Sequence, residues 1–411
     1  MTTPEQTHHW KRKTILFLIS QCVTLFGSTL VQMAIVWYVT LGTSSGAWVA
    51  AFSVCSYLPQ FFASFVGGVW ADRYDRKALI IGADLTIAAV TLVMMLAIPR
   101  IADESVLLGG LLVMSVLRSV GAGIQTPAVN AVIPQLVPES QLMRFNGINA
   151  TMQSLVQFAA PAAAGAVLTV GTLRFTLSMD VATALLGTGV FCFVKLPRQE
   201  EACERTSLGA DMGMGLHYAF SDKMIGKLLA VYGLFTFLCV PAGFLAGLFV
   251  SRVYGTAYWY LTAVELAGFL GMMAGGLLIS AWGGRTRHVT TLLVGLTVFG
   301  AMAIGMGLSA NFIVYLVLMM MYGIALTTVQ TAMTTLVQQK TAPAMQGRVL
   351  GLLGSLYAGC MPAGMAVFGP MADVVPLRWM MIGSGVSLML LAMFLRFDRH
   401  FSGDGNSFLK R

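Results

Sequence analysis

GGVWADRYDRK, Gly67 to Lys77, carries five charges in its last six residues: Asp72, Arg73, Asp75, Arg76 and Lys77. Residues 47–66 before it carry none. A long apolar run that ends on paired glycines and a dense charged turn reads as a membrane span meeting water, and the rest of the chain follows that reading. Of the 411 residues, 57% are hydrophobic and 10% are charged, against about 25% charged in soluble domains. So few charges cannot cover the surface of a water-soluble protein of this length, so the chain is expected to be a polytopic membrane protein.

A helical span needs about 20 mainly apolar residues. Runs of that kind fall at 14–40, 47–71, 78–98, 105–125, 144–166, 176–195, 226–250, 257–281, 289–309, 313–336, 348–372 and 379–396. The first run is too long for a cleavable signal and no small-residue cleavage site follows it. One long polar gap divides the spans six and six. The predicted fold is an all-α membrane protein, with twelve transmembrane helices in two pseudo-symmetric six-helix bundles. The bundles are residues 1–195 and 226–411, with a cytoplasmic linker at 196–225.

With the N-terminus placed in the cytoplasm, Arg100, Arg174, Arg252 and Arg378 fall outside and Arg118 falls within a span. Every other Lys and Arg falls inside. The positive-inside rule therefore puts both termini in the cytoplasm. The same distribution makes the net charge of +8 a matter of topology, not of nucleic-acid binding. The six cysteines show no paired metal spacing and read as small buried hydrophobes. No metal or cofactor is expected.

The halves echo each other. GGLLISAWGGRTR, Gly275 to Arg287, stands after the eighth run as GGVWADRYDRK stands after the second, and AAPAAAG (159–165) matches CMPAG (360–364). Two related halves are the trace expected of a transporter built from repeats. Small residues let helices approach closely, so Pro161, Gly165, Pro362 and Gly364 are read as helix-packing residues; the prolines are expected to free backbone bonds.

The pattern G-x-x-x-D-R-x-x-R-K, here Gly68, Asp72, Arg73, Arg76 and Lys77, resembles the cytoplasmic signature of the major facilitator superfamily. Together with the spans and their division, the resemblance covers essentially the whole chain. It implies a cytoplasmic gate in which Asp72 braces the start of the eleventh span, near Gly347-Arg348. Ser280 stands where a second Asp would be, so an equivalent latch in the second half is not expected. Three stretches, QMAIVWYVT (32–40), DRYDRKALIIGADLTIAA (72–89) and RSVGAGIQTPAVNAVIPQLVPESQL (118–142), resemble the macrolide-efflux branch of bacterial drug exporters. That implies export of small amphipathic substrates in exchange for protons, from a monomer in the bacterial cytoplasmic membrane in contact with its lipid. Siderophore exporters lie in the same wider group, so export of a siderophore or another metabolite is the first alternative, and a non-transporting membrane sensor the second. No nucleotide-binding loop is present, and the polar segments are too short to hold catalysis, so no enzyme is expected.

Charged residues inside spans are costly and default to functional readings. Arg118, Asp84 and Glu265 are the candidates for proton coupling. Antiparallel geometry puts Asp84 and Arg118 at similar depth, so an ion pair is expected, either permanent or broken in the cycle; the alternative for Arg118 is snorkelling to the inner surface. Glu265 has no basic neighbour in its own helix, a setting that suits a proton carrier. Asp180, close to Arg174 by helix turns, reads as structural. Gln32 and Gln157 are read as lining a substrate cavity, with Tyr57, Phe235 and Tyr357 supplying aromatic surface for bulky ligands.

Overall fold

The computed structural model describes residues 4–138, 142–194, 221–282, 288–341 and 345–397. Within them the chain forms thirteen α-helices and one 3-10 turn, with no strand. The helices of the first half are α1 (Pro4–Thr43), α2 (Gly46–Arg73), α3 (Arg76–Ala97), α4 (Glu104–Leu136), α5 (Leu142–Val170) and α6 (Leu173–Cys192). Those of the second are α7 (Lys223–Leu238), α8 (Ala246–Val253), α9 (Tyr258–Trp282), α10 (His288–Leu308), α11 (Phe312–Lys340), α12 (Gln346–Val374) and α13 (Leu377–Phe397). The expected linker at 196–225 lies outside the described residues as far as residue 220.

Eleven of the described helices are long and apolar enough to cross a membrane. Large apolar side chains such as Val113, Leu155, Leu186, Leu277 and Leu390 are exposed on them. An apolar exterior of that extent is a liability in water and suits lipid. The expected seventh span, 226–250, is a correction: it is two helices, α7 and α8, joined by turns over 239–245. Pro241 has no N–H, and its ring cannot sit against the carbonyl one turn earlier. The backbone re-forms around it, with Gly243 N–H bonded to Cys239 O at 2.9 Å and Leu245 N–H to Val240 O at 3.1 Å. Phe237 O, which would have paired with the missing N–H of Pro241, accepts from Val240 N–H at 3.4 Å, and Tyr322 Oη gives Cys239 O a second donor at 3.2 Å, so the turns are paired within the protein, as a hydrocarbon environment demands.

The chain divides into two compact units. Unit 1 is 1–42, 51–205 and 257–262; unit 2 is 43–50, 206–256 and 263–411. The same pairings recur in both: in unit 1 α3, the third span, packs against α4 and α6, and in unit 2 α10, the third span of its half, packs against α11 and α13.

The glycine echo has a packing reason. A Cβ on Gly67 would lie 2.6 Å from Gly123 O and 2.7 Å from Ile124 Cα on α4. A Cβ on Gly275 would lie 2.9 Å from Ile324 O and 3.0 Å from Ile324 Cα on α11. Gly68 and Gly276 face open space. In both halves the first glycine of the pair lets the second span cross the fourth at backbone distance.

Two further features place helix ends. In unit 1, the turn after α2 sits beside a buried cluster that includes Phe17, Ala71, Ile80, Val132, Phe191 and Val194. In unit 2, Asp373 near the end of α12 receives the first turn of α2. It accepts from Ser45 Oγ at 2.7 Å, Gly46 N–H at 2.6 Å and Ala47 N–H at 2.9 Å. Arg252 donates to Asp373 at 2.8 Å and to Ala372 O at 2.6 Å. A carboxylate on a helix N-terminus satisfies orphan N–H groups and complements the helix dipole.

Candidate functional site

The charged turn is built from helix-end chemistry. Asp75 caps α3, accepting from Ala78 N–H at 2.8 Å. Arg76 donates to Ala71 O on α2 at 2.9 Å and to Ala131 O on α4 at 2.8 Å. Lys77 Nζ donates to Cys192 O at 2.7 Å and Val194 O at 2.8 Å, closing the end of α6. Cations at helix C-termini are favourable because the last carbonyls are unpaired. Arg73 is exposed at the end of α2. Asp72 lies in the last turn of α2; its side chain, with those of Ser280, Gly347 and Arg348, lies outside what the structure describes, so the expected brace is not visible. Of the paired glycines Gly67 makes the close contact, and Gly68 of the signature faces open space.

Unit 1 encloses a cavity of about 300 Å³ between α1, α2, α3, α4 and α5. Its lining includes six glutamines, Gln21, Gln32, Gln60, Gln125, Gln153 and Gln157, together with apolar Leu25, Ile35 and Val36. Gln32 and Gln157 thus stand in one lining. Tyr57 does not line it; it lies exposed on α2.

One wall of this cavity is shaped by Pro59, which interrupts the backbone ladder of α2. There Ser119 of α4 accepts from Gln60 N–H at 2.8 Å and donates to Ser56 O at 2.7 Å. The hydroxyl is inserted into a helical hydrogen bond, a known way to open a helix.

The charged groups depart from expectation. Arg118 does not pair with Asp84. It forms an ion pair with Asp180 of α6 and donates to Thr91 Oγ1 of α3. Thr91 also donates to Asp180, at 3.1 Å. Arg118 and Asp180 are both buried, at 9% and 1% exposure, so Arg118 is bonded within the unit instead of snorkelling. Asp180 is therefore the partner of Arg118, not of Arg174. Asp84, equally buried, accepts from Gln125 Nε2 at 2.5 Å. The physical reason is azimuthal: similar depth does not turn two side chains toward each other, and α6 packs on α3 beside α4.

In unit 2, Glu265 is half-buried on α9. Phe235 is a correction. It is 1% exposed, with its ring 4.9 Å from that of Phe299, so it belongs to the core and offers no surface to a ligand. Tyr357 is partly exposed on α12. The prolines leave their helices continuous: α5 runs through Pro161 and α12 through Pro362. A Cβ on Gly165 would collide with Thr262, and one on Gly364 would lie 2.7 Å from Val240 Cγ2, so both glycines sit at tight contacts.

Gln21, Gln60, Gln125 and Gln153 join Gln32 and Gln157 in the lining. The signal was present, since a glutamine inside an apolar run is as unusual in the second and fourth spans as in the first and fifth. Asp180 is legible in the sequence too, but its partner, Arg118, lies on α4 and not within its own helix.

Residues 17–365 match the family model of the Major Facilitator Superfamily. The chain is 29% identical over 395 residues to macrolide efflux protein A of Streptococcus pyogenes, covering 95% of this chain and 96% of that protein. It is 22% identical over 382 residues to the multidrug efflux pump Tap of Mycobacterium tuberculosis, covering 88% of each. Among solved structures it resembles a bacterial homologue of the human lysosomal transporter Spinster, with a TM-score of 0.70, 16% identity and coverage of 95% and 96%. It also resembles a bacterial homologue of the iron transporter ferroportin, with a TM-score of 0.71, 14% identity and coverage of 93% and 98%. At these identities the structural likeness speaks to fold alone.

Proposed function

Because this chain belongs to the major facilitator superfamily, and is a multi-pass membrane transporter and not an enzyme, we propose that it exports amphipathic, drug-like compounds, macrolides among them, in exchange for protons. The observation that carries export is the end-to-end likeness to macrolide efflux protein A. The unit 1 cavity, with amides and apolar side chains in one lining, supports a path for molecules that are both polar and greasy.

In this reading the protein works as a monomer in the bacterial inner membrane, with both termini in the cytoplasm. Bundles 1–195 and 226–411, joined by the linker 196–225, alternate access to the substrate. Asp72 and the turn through Lys77 form the cytoplasmic gate, with Arg76 and Lys77 holding its helix ends in place. Asp84, Arg118 and Glu265 couple transport to protons, with the carboxylates as the carriers, and Asp180 holds Arg118 oriented within unit 1. Gln32 and Gln157 contact substrate.

The test is reconstitution into liposomes with an imposed pH gradient and a panel of labelled compounds. Accumulation that follows the gradient and collapses with a protonophore is expected for macrolide-type compounds. Flux indifferent to the gradient would remove proton exchange, and no flux of any compound would remove export.

A further inference from the structure

We propose that the unit 1 cavity selects an uncharged, oxygen-rich portion of the substrate, bearing hydroxyl, ether, lactone or amide groups, and discriminates against cations. The inference rests on the reading of this cavity as part of the substrate path.

The cavity offers amides and withholds carboxylates. Its six glutamines come from α1, α2, α4 and α5 and so surround the space. Each primary amide is both donor and acceptor and can match a hydroxyl or a carbonyl without a change of charge.

The charges of this wall are turned away from the space or neutralised. Among the described residues that line the cavity, Arg118 is the one charged side chain and there is no carboxylate. Asp180, outside the lining, answers the guanidinium from behind. Asp84 is also outside the lining, and Gln125, which does line it, holds its carboxylate. An ammonium entering here would lose its water, meet no counter-ion and stand beside a guanidinium, which is unfavourable on every count. An anion would find Arg118 already paired. A neutral oxygen-rich group meets only partners. The volume of about 300 Å³ lies at the low end for drug-sized ligands, so it takes one portion of a large substrate.

The experiment uses the purified full-length protein in lipid nanodiscs and three probes with one aglycone: a naphthyl glucoside, its 2-amino analogue and its glucuronide. At pH 6 these are neutral, cationic and anionic. Equilibrium binding, with empty discs subtracted, is expected to favour the neutral glycoside over the cationic one by about tenfold. Gln32→Leu and Gln153→Leu are each expected to weaken neutral binding by about 3- to 10-fold. Gln157→Glu installs a carboxylate and is expected to reverse the order in favour of the cationic analogue, which a misfolded variant could not do. Equal or tighter binding of the cationic analogue by the unaltered protein, or binding of none of the three, overturns the proposal, as does a Gln157→Glu variant that keeps the original order. Selective binding without flux in vesicles would remove export and leave this inference standing. Flux of the cationic analogue in preference to the neutral one would do the reverse.

Discussion

Arg118 of α4 is ion-paired to Asp180 of α6, and Thr91 of α3 is hydrogen-bonded to both, all three buried inside unit 1. This triad ties three helices at one point beside the cavity. Breaking a buried pair by removing one partner costs about 3–5 kcal/mol, whereas replacing both with apolar residues is often neutral. Asp180→Asn is therefore expected to lower stability sharply, and Arg118→Leu with Asp180→Leu to recover most of it. Thermal unfolding of the detergent-solubilised variants measures this. An Asp180→Asn protein as stable as the parent would show that Arg118 is held by something else.

The paired glycines make a discriminating case. A Cβ on Gly67 strikes the backbone of α4, and one on Gly68 meets nothing. Overpacking of this kind costs about 1–3 kcal/mol, so Gly67→Ala should reduce the yield of monodisperse protein while Gly68→Ala should not. Size-exclusion profiles after detergent extraction decide it, and equal profiles would mean that α2 and α4 can separate without loss.

Ser119 completes the backbone of a neighbouring helix. Ser119→Ala leaves Gln60 N–H and Ser56 O without their relay, at a cost of about 1–3 kcal/mol for an unsatisfied buried group. Ser119→Thr keeps the hydroxyl and should retain most of the stability. Urea or thermal denaturation of the two variants checks the contrast; identical losses would point to side-chain volume as the cause.

Asp373 protects the first turn of α2. Asp373→Asn removes the charge that receives Gly46 and Ala47 N–H. Loss of about 1.4 kcal/mol of local stability corresponds to about tenfold faster amide exchange there. Hydrogen exchange read by mass spectrometry over residues 44–50 measures it, and unchanged protection would place the cap elsewhere.

Proton coupling is separable from binding. Glu265→Gln is expected to retain substrate binding and to lose most uptake driven by a pH gradient in liposomes, since the amide cannot release a proton. Full gradient-driven uptake in that variant would clear Glu265 and leave Asp84 as the carboxylate to test.

Amino-acid order was enough to reveal a helical membrane transporter with two echoing halves, because hydropathy, charge asymmetry and repeated glycines are local along the chain. It located Gln32, Gln157, Asp84, Arg118 and Glu265 by depth, since a helix rises by a constant step per residue. Depth is only one coordinate. Which side chains meet depends on the rotation of each helix and on which helices are neighbours, and those follow from packing of the whole assembly. Packing gave Arg118 to Asp180 and Asp84 to Gln125, drew Phe235 into the core, and made Gly67 rather than Gly68 the point of crossing. The break between α7 and α8 stands between the two cases: Pro241 is there in the sequence and permits it, but which groups pair with the turns, Tyr322 with Cys239 O among them, is decided by the surrounding helices.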